Sequence, residues 1–285
     1  MRVVRSVSAL RELRAGWSAR AKRVAFVPTM GNLHDGHLAL VQRALQLADR
    51  VVVSIFVNPL QFDRAEDLEA YPRTLEEDYR ALEDGGVDLV FVPETDEVYP
   101  SGREATRVVV PGVSEPLEGE HRVGHFSGVA TVVTKLFNMV EPHIAVFGEK
   151  DYQQLLVVRR LVQDLDLPIE IEGVPTVRDP DGLALSSRNR YLSPEERHRA
   201  PALYRVLSEV AAAVAEQPEA AARLEAEARI DLGRAGLRPD YLAVRDACDL
   251  GPPDRLGRPL RVLAAAWLGR ARLIDNVPVV APAQR

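Results

Sequence analysis

The sequence has one cysteine and no long apolar run, and each absence excludes a class of protein. Cys248 is the single cysteine among 285 residues, so no intrachain disulfide can form, which suits a reducing compartment. No apolar run approaches the roughly 20 residues that a transmembrane helix needs. The N-terminal segment also lacks the apolar core of a secretory signal. We therefore expect a cytoplasmic protein without a membrane partner.

Basic charge is also in deficit. Lysine and arginine number 36 against 42 aspartate and glutamate residues, which gives a formal net charge of −6. Proteins that bind nucleic acid usually carry a basic face, so we expect no nucleic-acid partner. A local basic pocket for an anionic ligand remains compatible with this balance. The hydrophobic fraction of 46% is typical of a globular protein with a sizeable core.

Lysine is much scarcer than arginine. Of the 36 basic residues only three are lysines, namely Lys22, Lys135 and Lys150. A compact ammonium group in a tight phosphate site is one reason to use lysine where arginine is the rule. Neutral drift is the alternative, and we prefer it for Lys22.

The stretch from Arg23 to Gln42 is interpreted as strand, loop and helix. Residues 24–27 form an apolar run of the length of a buried parallel strand. Asp35 occupies the predicted N-cap position of the following helix. His34 and His37 would then lie at a helix N-terminus, where N–H groups and the helix dipole favour a phosphate. Half of a zinc site is the alternative, but hydrolytic zinc helices space their histidines i, i+4 around a glutamate.

Polar residues follow two further predicted strands. Asn58 and Gln61 come after the strand 50–57, and Lys150 comes after the strand 144–147. In open α/β sheets, ligands bind at this carboxyl edge. A turn, an exposed loop amide and a solvated charge run are the corresponding non-functional interpretations.

Two loops have the composition of an anion site. The glycine-rich loop 118–128 carries Arg122 and His125. Two adjacent hydroxyls and a guanidinium occur in the segment 186–188, which resembles an anion cradle. A flexible loop and an ordinary surface loop are the alternatives for these two segments.

The alternation of strands and helices predicts an α/β fold, with a Rossmann-like doubly wound parallel sheet in residues 1–176. Residues 177–285 are predicted to form a smaller C-terminal α+β domain. In this domain two alanine-rich helices precede two strands, 240–246 and 260–268. We expect the segment 273–278 to end the ordered part of the chain.

Five separated motifs resemble the pantothenate synthetase family (pantoate–β-alanine ligases) of the HIGH-type nucleotidyltransferase superfamily. They are PTMGNLHDGH, SIFVNPLQF, the loop 118–128, FGEKDYQQ and LSSRN. They occur in the family's order between residues 24 and 192. The resemblance implies ATP-dependent condensation of pantoate with β-alanine through a pantoyl adenylate. It also implies release of AMP and pyrophosphate, use of Mg²⁺, and a homodimer.

Position by position, the resemblance also implies the site residues. The ATP-binding set is Thr29, Met30, His34, His37, Gly148, Lys150, Asp151, Val177, Leu185, Ser186, Ser187 and Arg188. The set for pantoate and β-alanine is Asn58, Gln61, Arg122, His125 and Gln154. The catalytic set is His34, His37, Lys150 and Arg188. Asp78 occupies the position implied to hold magnesium. Leu185 replaces the family's usual methionine, a change that nearly conserves volume.

The nearest alternative is another nucleotidyltransferase of the superfamily, acting on a phosphorylated acceptor. The glutamines of NPLQF and KDYQQ speak against it, because amides suit a diol and a carboxylate better than a phosphate. A non-catalytic nucleotide sensor is a more distant alternative. A class I aminoacyl-tRNA synthetase is disfavoured by the acidic balance and by the lack of room for an anticodon domain.

Overall fold

The computed structural model describes residues 1–62, 68, 71–102, 106–253 and 257–280. The chain divides into two compact units. The first consists of Met1–Glu115, Arg122–Glu149 and Gln154–Pro175, and the second of Pro116–His121, Lys150–Gln153 and Thr176–Arg285. No pattern in the sequence indicates that two short internal segments belong with the C-terminal part. The domain boundary between residues 176 and 177 stays a prediction.

The described ranges contain the following strands and helices. The strands are β1 (Arg2–Val4), β2 (Val24–Thr29), β3 (Arg50–Ile55), β4 (Leu89–Phe91), β5 (Ile144–Gly148), β6 (Glu170–Val174), β7 (Arg238–Asp246), β8 (Leu260–Leu268) and β9 (Ala271–Pro278). The α-helices are α1 (Val7–Ser18), α2 (Asp35–Leu47), α3 (Leu75–Asp84), α4 (Thr95–Val98), α5 (Glu118–His121), α6 (His125–Val140), α7 (Tyr152–Asp164), α8 (Pro194–Arg199), α9 (Ala202–Glu216) and α10 (Ala221–Arg234). None of these helices is both long and apolar enough to cross a membrane.

The first unit contains a parallel sheet of six strands in the order β1-β4-β3-β2-β5-β6. From β2 the chain proceeds outward through β3 and β4, and it then returns to the other side of β2 with β5 and β6. The strand order therefore reverses between β2 and β5. Ligands bind at such a switch point, outside the carboxyl ends of the strands. The predicted Rossmann-like doubly wound sheet is confirmed.

Both faces of this sheet are covered, which explains why β2 has a continuous apolar run. Ala25 and Val27 belong to the same buried cluster as Val41 of α2. The side chain of Phe26 points the other way and meets Phe137 of α6, with ring centroids 6.4 Å apart. A strand buried on both faces loses the alternation of apolar and polar residues.

The second unit contains an antiparallel sheet in the order β7-β8-β9, with helices α9 and α10 contributing to its apolar core. The predicted smaller α+β domain is confirmed as a fold class. The sequence did not predict a strand for the segment 273–278, which lies in β9. Asp275 and Asn276 interrupt the apolar pattern of this strand, and both side chains are buried.

Helix α6 approaches the 3-10 turn Pro59–Gln61 backbone to backbone at Gly128. A Cβ atom on Gly128 would collide with the carbonyl group of Leu60 and would lie 2.8 Å from the Gln61 nitrogen. The Gly128 carbonyl accepts a hydrogen bond of 3.1 Å from Asn58 Nδ2. The absence of a side chain therefore allows the turn that carries Gln61 to lie directly against the helix.

We expect Gly128→Ala to lower the free energy of unfolding by about 1–3 kcal/mol, because the added methyl group forces the turn away from the helix. Urea denaturation measures the change. Gly16→Ala is the matched control in helix α1, since nothing lies within 4 Å of its Cβ position. That control should be neutral or should stabilise by up to about 1 kcal/mol. An unchanged unfolding midpoint for Gly128→Ala would contradict the tight packing.

Candidate active site

The loop after β2 is fixed by one buried carboxylate. Asp78 of α3 is 2% exposed and accepts hydrogen bonds from the backbone N–H groups of Asn32 at 2.9 Å and Leu33 at 2.8 Å. The Thr74 hydroxyl lies 3.3 Å from both carboxylate oxygens. Gly31 has a φ of +76°, and a Cβ there would lie 2.9 Å from Asp78 Oδ2. Asp78 therefore sets the path of the chain into helix α2.

The same contacts bear on the magnesium role implied for Asp78. Both of its oxygens accept hydrogen bonds from the loop. No group of three or more His, Cys, Asp or Glu side chains in the described ranges is arranged to hold a metal ion. Asp78 thus acts as an anchor for the loop, and its role toward magnesium stays a prediction.

Helix α2 begins with a histidine cap. The N-cap is His34, whose Nδ1 accepts a hydrogen bond of 3.1 Å from the Gly36 nitrogen. His37 Nδ1 accepts from the backbone N–H of His34 at 3.3 Å and completes a capping box. The expectation that Asp35 caps the helix was wrong, because Asp35 is its first residue and imidazoles do the capping. The two rings lie 4.1 Å apart between centroids.

These caps determine which nitrogen of each imidazole carries the proton. A neutral imidazole has one donor nitrogen and one acceptor nitrogen. Because Nδ1 of His34 and Nδ1 of His37 both accept, the proton of each neutral ring is on Nε2. Two N–H donors of fixed tautomer therefore accompany the N-terminus of α2, which is chemistry suited to phosphate oxygens.

Thr29 and Met30, at the carboxyl end of β2, take part in contacts inside the first unit. The Thr29 hydroxyl donates to the Ser54 carbonyl at 2.8 Å and accepts from the Gly31 nitrogen at 3.2 Å. The Met30 sulfur accepts a hydrogen bond of 3.0 Å from Gln61 Nε2. Thr29 thus joins β3 to the start of the loop, while Met30 contacts Gln61.

Gln61 is oriented by Asn58, which is 1% exposed. Asn58 Nδ2 donates to Gln61 Oε1 at 3.1 Å, and Asn58 Oδ1 accepts from Leu60 N at 3.2 Å and from the Tyr99 hydroxyl at 2.8 Å. Burial raises the pKa of the Tyr99 phenol well above its usual value, so this hydroxyl stays protonated and continues to donate. The arrangement makes Asn58 a positioning residue for Gln61, and its own contact with substrate stays a prediction.

Arg122 and His125 approach the same turn. His125 Nδ1 lies 2.9 Å from the Gln61 carbonyl, and Arg122 Nη2 donates to that oxygen at 3.3 Å. A carbonyl only accepts, so Nδ1 carries the proton of His125. Nε2 of the neutral ring then accepts from Arg122 Nη1 at 3.1 Å. The first unit therefore brings these two residues together with Gln61, Asn58 and Met30.

Two further predicted residues lie in the first unit. Gly148 is the last residue of β5, and a Cβ atom added there would meet only Leu40 Cδ2, at 3.9 Å. Gln154 is half-buried in the first turn of α7. Their roles toward ATP and pantoate stay predictions.

The second unit brings three of the predicted phosphate residues to one pocket. Lys150, Ser186 and Arg188 line it, together with Arg272 and Asp275. Lys150 belongs to the 3-10 turn Glu149–Asp151, and its Nζ lies 3.7 Å from the exposed Asp151 carboxylate. Three cationic side chains, Lys150, Arg188 and Arg272, thus line one pocket together with the Asp275 carboxylate.

The segment 177–191 contributes five residues to that pocket, all between positions 183 and 189. The Leu185 nitrogen donates to the Val177 carbonyl at 3.0 Å. Ser186 caps the 3-10 helix Ser187–Tyr191 by accepting from the Arg188 nitrogen at 3.3 Å. Val177 and Leu185 are thus paired beside the Arg178–Ala184 bridge, while Ser187 and the exposed Arg188 lie in the 3-10 helix.

The sequence reasoning missed a buried ionic cluster beside the pocket. Arg272 donates to Glu118 Oε2 at 2.8 Å and to Asp240 Oδ2 at 2.7 Å. The Tyr241 hydroxyl donates to Glu118 Oε1 at 2.9 Å, and burial together with the Glu118 charge raises the pKa of that phenol. The available signal in the sequence for this cluster was the charged residue Arg272 beside the apolar residues Ala271 and Leu273. The cluster holds Arg272 in place where it lines the pocket.

Comparison with known proteins identifies one family over nearly the whole chain. The family model described as pantoate-beta-alanine ligase matches residues 2–278. A pantothenate synthetase of Nitrosococcus oceani is 57% identical over 280 residues, with 98% of each chain covered. The crystal structure of pantothenate synthetase from Thermus thermophilus superposes with a TM-score of 0.90 at 50% identity, covering 99% of this chain and 100% of that one.

A ligand-bound structure is also similar. It is the pantoate-beta-alanine ligase of Francisella tularensis in complex with beta-gamma ATP and beta-alanine, with a TM-score of 0.80, 33% identity and 98% of each chain covered. The similarity extends over both units and over the full length of the relatives. The chain therefore belongs to the pantoate–β-alanine ligase family.

Proposed function

We propose that the protein joins pantoate to β-alanine to give pantothenate, with conversion of ATP to AMP and pyrophosphate. The observation that carries this proposal is the family match over residues 2–278. A match of this length to the amide-forming ligases favours them over nucleotidyltransferases that act on phosphorylated acceptors. It also favours an enzyme over a nucleotide sensor.

The residues that the family implies for ATP occur in both units. In the first unit, His34 and His37 present Nε2–H donors at the start of α2, and Thr29 and Met30 lead into that loop. In the second unit, the pocket lined by Lys150, Ser186 and Arg188 supplies positive charge and a hydroxyl. The remaining nucleotide contacts are those implied by the family: Gly148, Asp151, Val177, Leu185 and Ser187.

The first chemical step forms the adenylate. A carboxylate oxygen of pantoate attacks the α-phosphorus of ATP, the bond from that phosphorus to the bridging oxygen breaks, and pyrophosphate leaves. Catalysis of such a displacement consists mainly of alignment and of neutralising the charge on the leaving group. We assign the neutralisation to His34, His37, Lys150 and Arg188.

The second step forms the amide. The amine of β-alanine attacks the activated carbonyl carbon, the bond from that carbon to the AMP oxygen breaks, and the nitrogen loses a proton. Gln61 and Gln154 are assigned to pantoate, with Gln61 also serving β-alanine. Arg122 and His125 support this side by holding the Gln61 carbonyl, and a direct contact of either with substrate is part of the same proposal.

Magnesium is proposed to accompany ATP. Mg²⁺ is typically held by phosphate oxygens and water with few protein carboxylates. The residue that the family implies for this ion is Asp78, whose carboxylate also accepts hydrogen bonds from the loop. A homodimer in the cytoplasm is proposed on family resemblance. Light scattering of the purified protein measures the mass in solution and so tests the dimer.

Isotope exchange between pyrophosphate and ATP tests the first step. With pantoate present and β-alanine absent, the enzyme should exchange label, because adenylate formation is reversible and needs no amine. Exchange should vanish when pantoate is omitted. Exchange with a phosphorylated acceptor in place of pantoate would overturn the proposed substrate. Nucleotide binding without any exchange would favour the sensor.

Lys150→Ala should lower the rate of adenylate formation by a factor of about 100 or more, since one electrostatic donor contributes on the order of 3 kcal/mol to such a barrier. Pyrophosphate exchange measures the loss, and circular dichroism checks the fold. Lys22→Ala is the matched control, because Lys22 forms an exposed pair with Asp49 at 2.9 Å. Near-normal turnover of Lys150→Ala would refute the role assigned to this ammonium group.

Gln61→Ala should mainly raise the pantoate KM, by about 10- to 100-fold, because a hydrogen bond to a charged substrate is worth about 1.5–3 kcal/mol. Initial rates at varied pantoate give the KM, and the ATP KM should change little. Gln46→Ala is the control, since Gln46 is exposed and accepts only a surface hydrogen bond from Arg43 among the contacts described. An unchanged pantoate KM would remove Gln61 from the substrate site.

A further inference from the structure

Two consecutive polar residues of β9 are buried where the strand is otherwise largely apolar. Asp275 is 3% exposed and Asn276 is 4% exposed. Burying a carboxylate or an amide is unfavourable unless hydrogen bonds replace the lost water. The partners of these two side chains therefore show what the strand gains from them.

The amide of Asn276 is directed at the turn that carries Lys150. Asn276 Nδ2 donates a hydrogen bond of 2.9 Å to the backbone carbonyl of Lys150. Lys150 lies in a single 3-10 turn, Glu149–Asp151. So short a turn has few i→i+3 backbone hydrogen bonds to stabilise it. A bond to its carbonyl fixes the backbone from which the ammonium group extends.

The carboxylate of Asp275 is directed at the other phosphate segment. Its two oxygens accept from Arg178 Nη1 at 2.6 Å and Nη2 at 2.9 Å, a bidentate pair. Arg178 also donates to the Gly182 carbonyl at 3.1 Å and lies 3.8 Å from the centre of the Tyr204 ring. Arg178 is bridged to Ala184, immediately before the segment 185–188.

We infer that Asp275 and Asn276 form a positioning pair that holds the Lys150 turn and the segment 178–188 in register for ATP. Consecutive residues of a strand are about 3.3 Å apart along its axis. Two segments distant in sequence are thus attached to adjacent points of one rigid strand. The attachment brings both segments to one pocket, which is lined by Lys150, Ser186, Arg188 and Asp275.

This inference rests on the proposed function, because it assigns the pair to the step in which pyrophosphate leaves. A small displacement of an aligned catalytic group costs as much as 100-fold in rate. The pair should therefore affect adenylate formation. It should not affect attack of β-alanine on an adenylate that is already formed, because pyrophosphate is absent from that step.

The experiment measures the two half-reactions separately in Asn276→Ala and in the nearly isosteric Asn276→Asp. Pyrophosphate exchange reports adenylate formation, and synthetic pantoyl adenylate with β-alanine reports amide formation. We expect kcat/KM for ATP in exchange to fall about 10- to 100-fold in both variants. The rate of amide formation should stay within about twofold of the unmodified enzyme. Asp275→Asn should show the same split, since it weakens the pair with Arg178.

Asn138→Ala is the matched control, because Asn138 also donates from Nδ2 to a backbone carbonyl, that of Thr134, but is exposed on helix α6. It should leave both half-reactions unchanged. Equal losses in both half-reactions of Asn276→Asp would show a general structural role and overturn the inference, as would no loss at all. Failure of the unmodified enzyme to exchange pyrophosphate would instead overturn the proposed function.

Discussion

The hydrogen bonds between the Asp78 carboxylate and the backbone of the loop after β2 are the contacts on which the first unit's site depends. They stabilise a loop in which Gly31 and Asn32 both have positive φ, a conformation that costs a non-glycine residue about 1–2 kcal/mol. Only with the loop in this path does the chain enter α2 with His34 as its cap. The Asp78 carboxylate thus organises the start of the helix that carries both histidines.

Histidine tautomers follow from the same backbone geometry. His34 and His37 accept at Nδ1 from N–H groups of the helix start, so their protons are on Nε2. His125 faces a carbonyl and has its proton on Nδ1. The fold therefore leaves Nε2–H donors on one pair of imidazoles and uses the third imidazole to hold the Gln61 turn. Identical side chains acquire different roles because the nearest backbone group is an N–H donor for His34 and His37 and a carbonyl acceptor for His125.

Much of the fold could be predicted from sequence, because long buried parallel strands such as β2 and β3 have unbroken apolar runs. The motifs also indicated three of the residues that line the second unit's pocket, Lys150, Ser186 and Arg188. What could not be predicted depends on contacts distant in sequence. Asp35 has the composition of an N-cap, but His34 takes the position because His37 completes its capping box. The strand β9 was missed because Asp275 and Asn276 break its pattern, and their partners lie more than 90 residues away.

The polar residues that interrupt apolar segments have a common physical role in both units. Asn58 is buried and orients Gln61, while Asp275 is buried and holds Arg178. A well-packed apolar replacement for such groups is often as stable or more stable. Their retention is therefore better explained by position than by stability, because a hydrogen bond fixes direction as well as distance and dispersion contacts do not. A ligase that must align three reactants in two successive steps has more use for fixed direction than for additional stability.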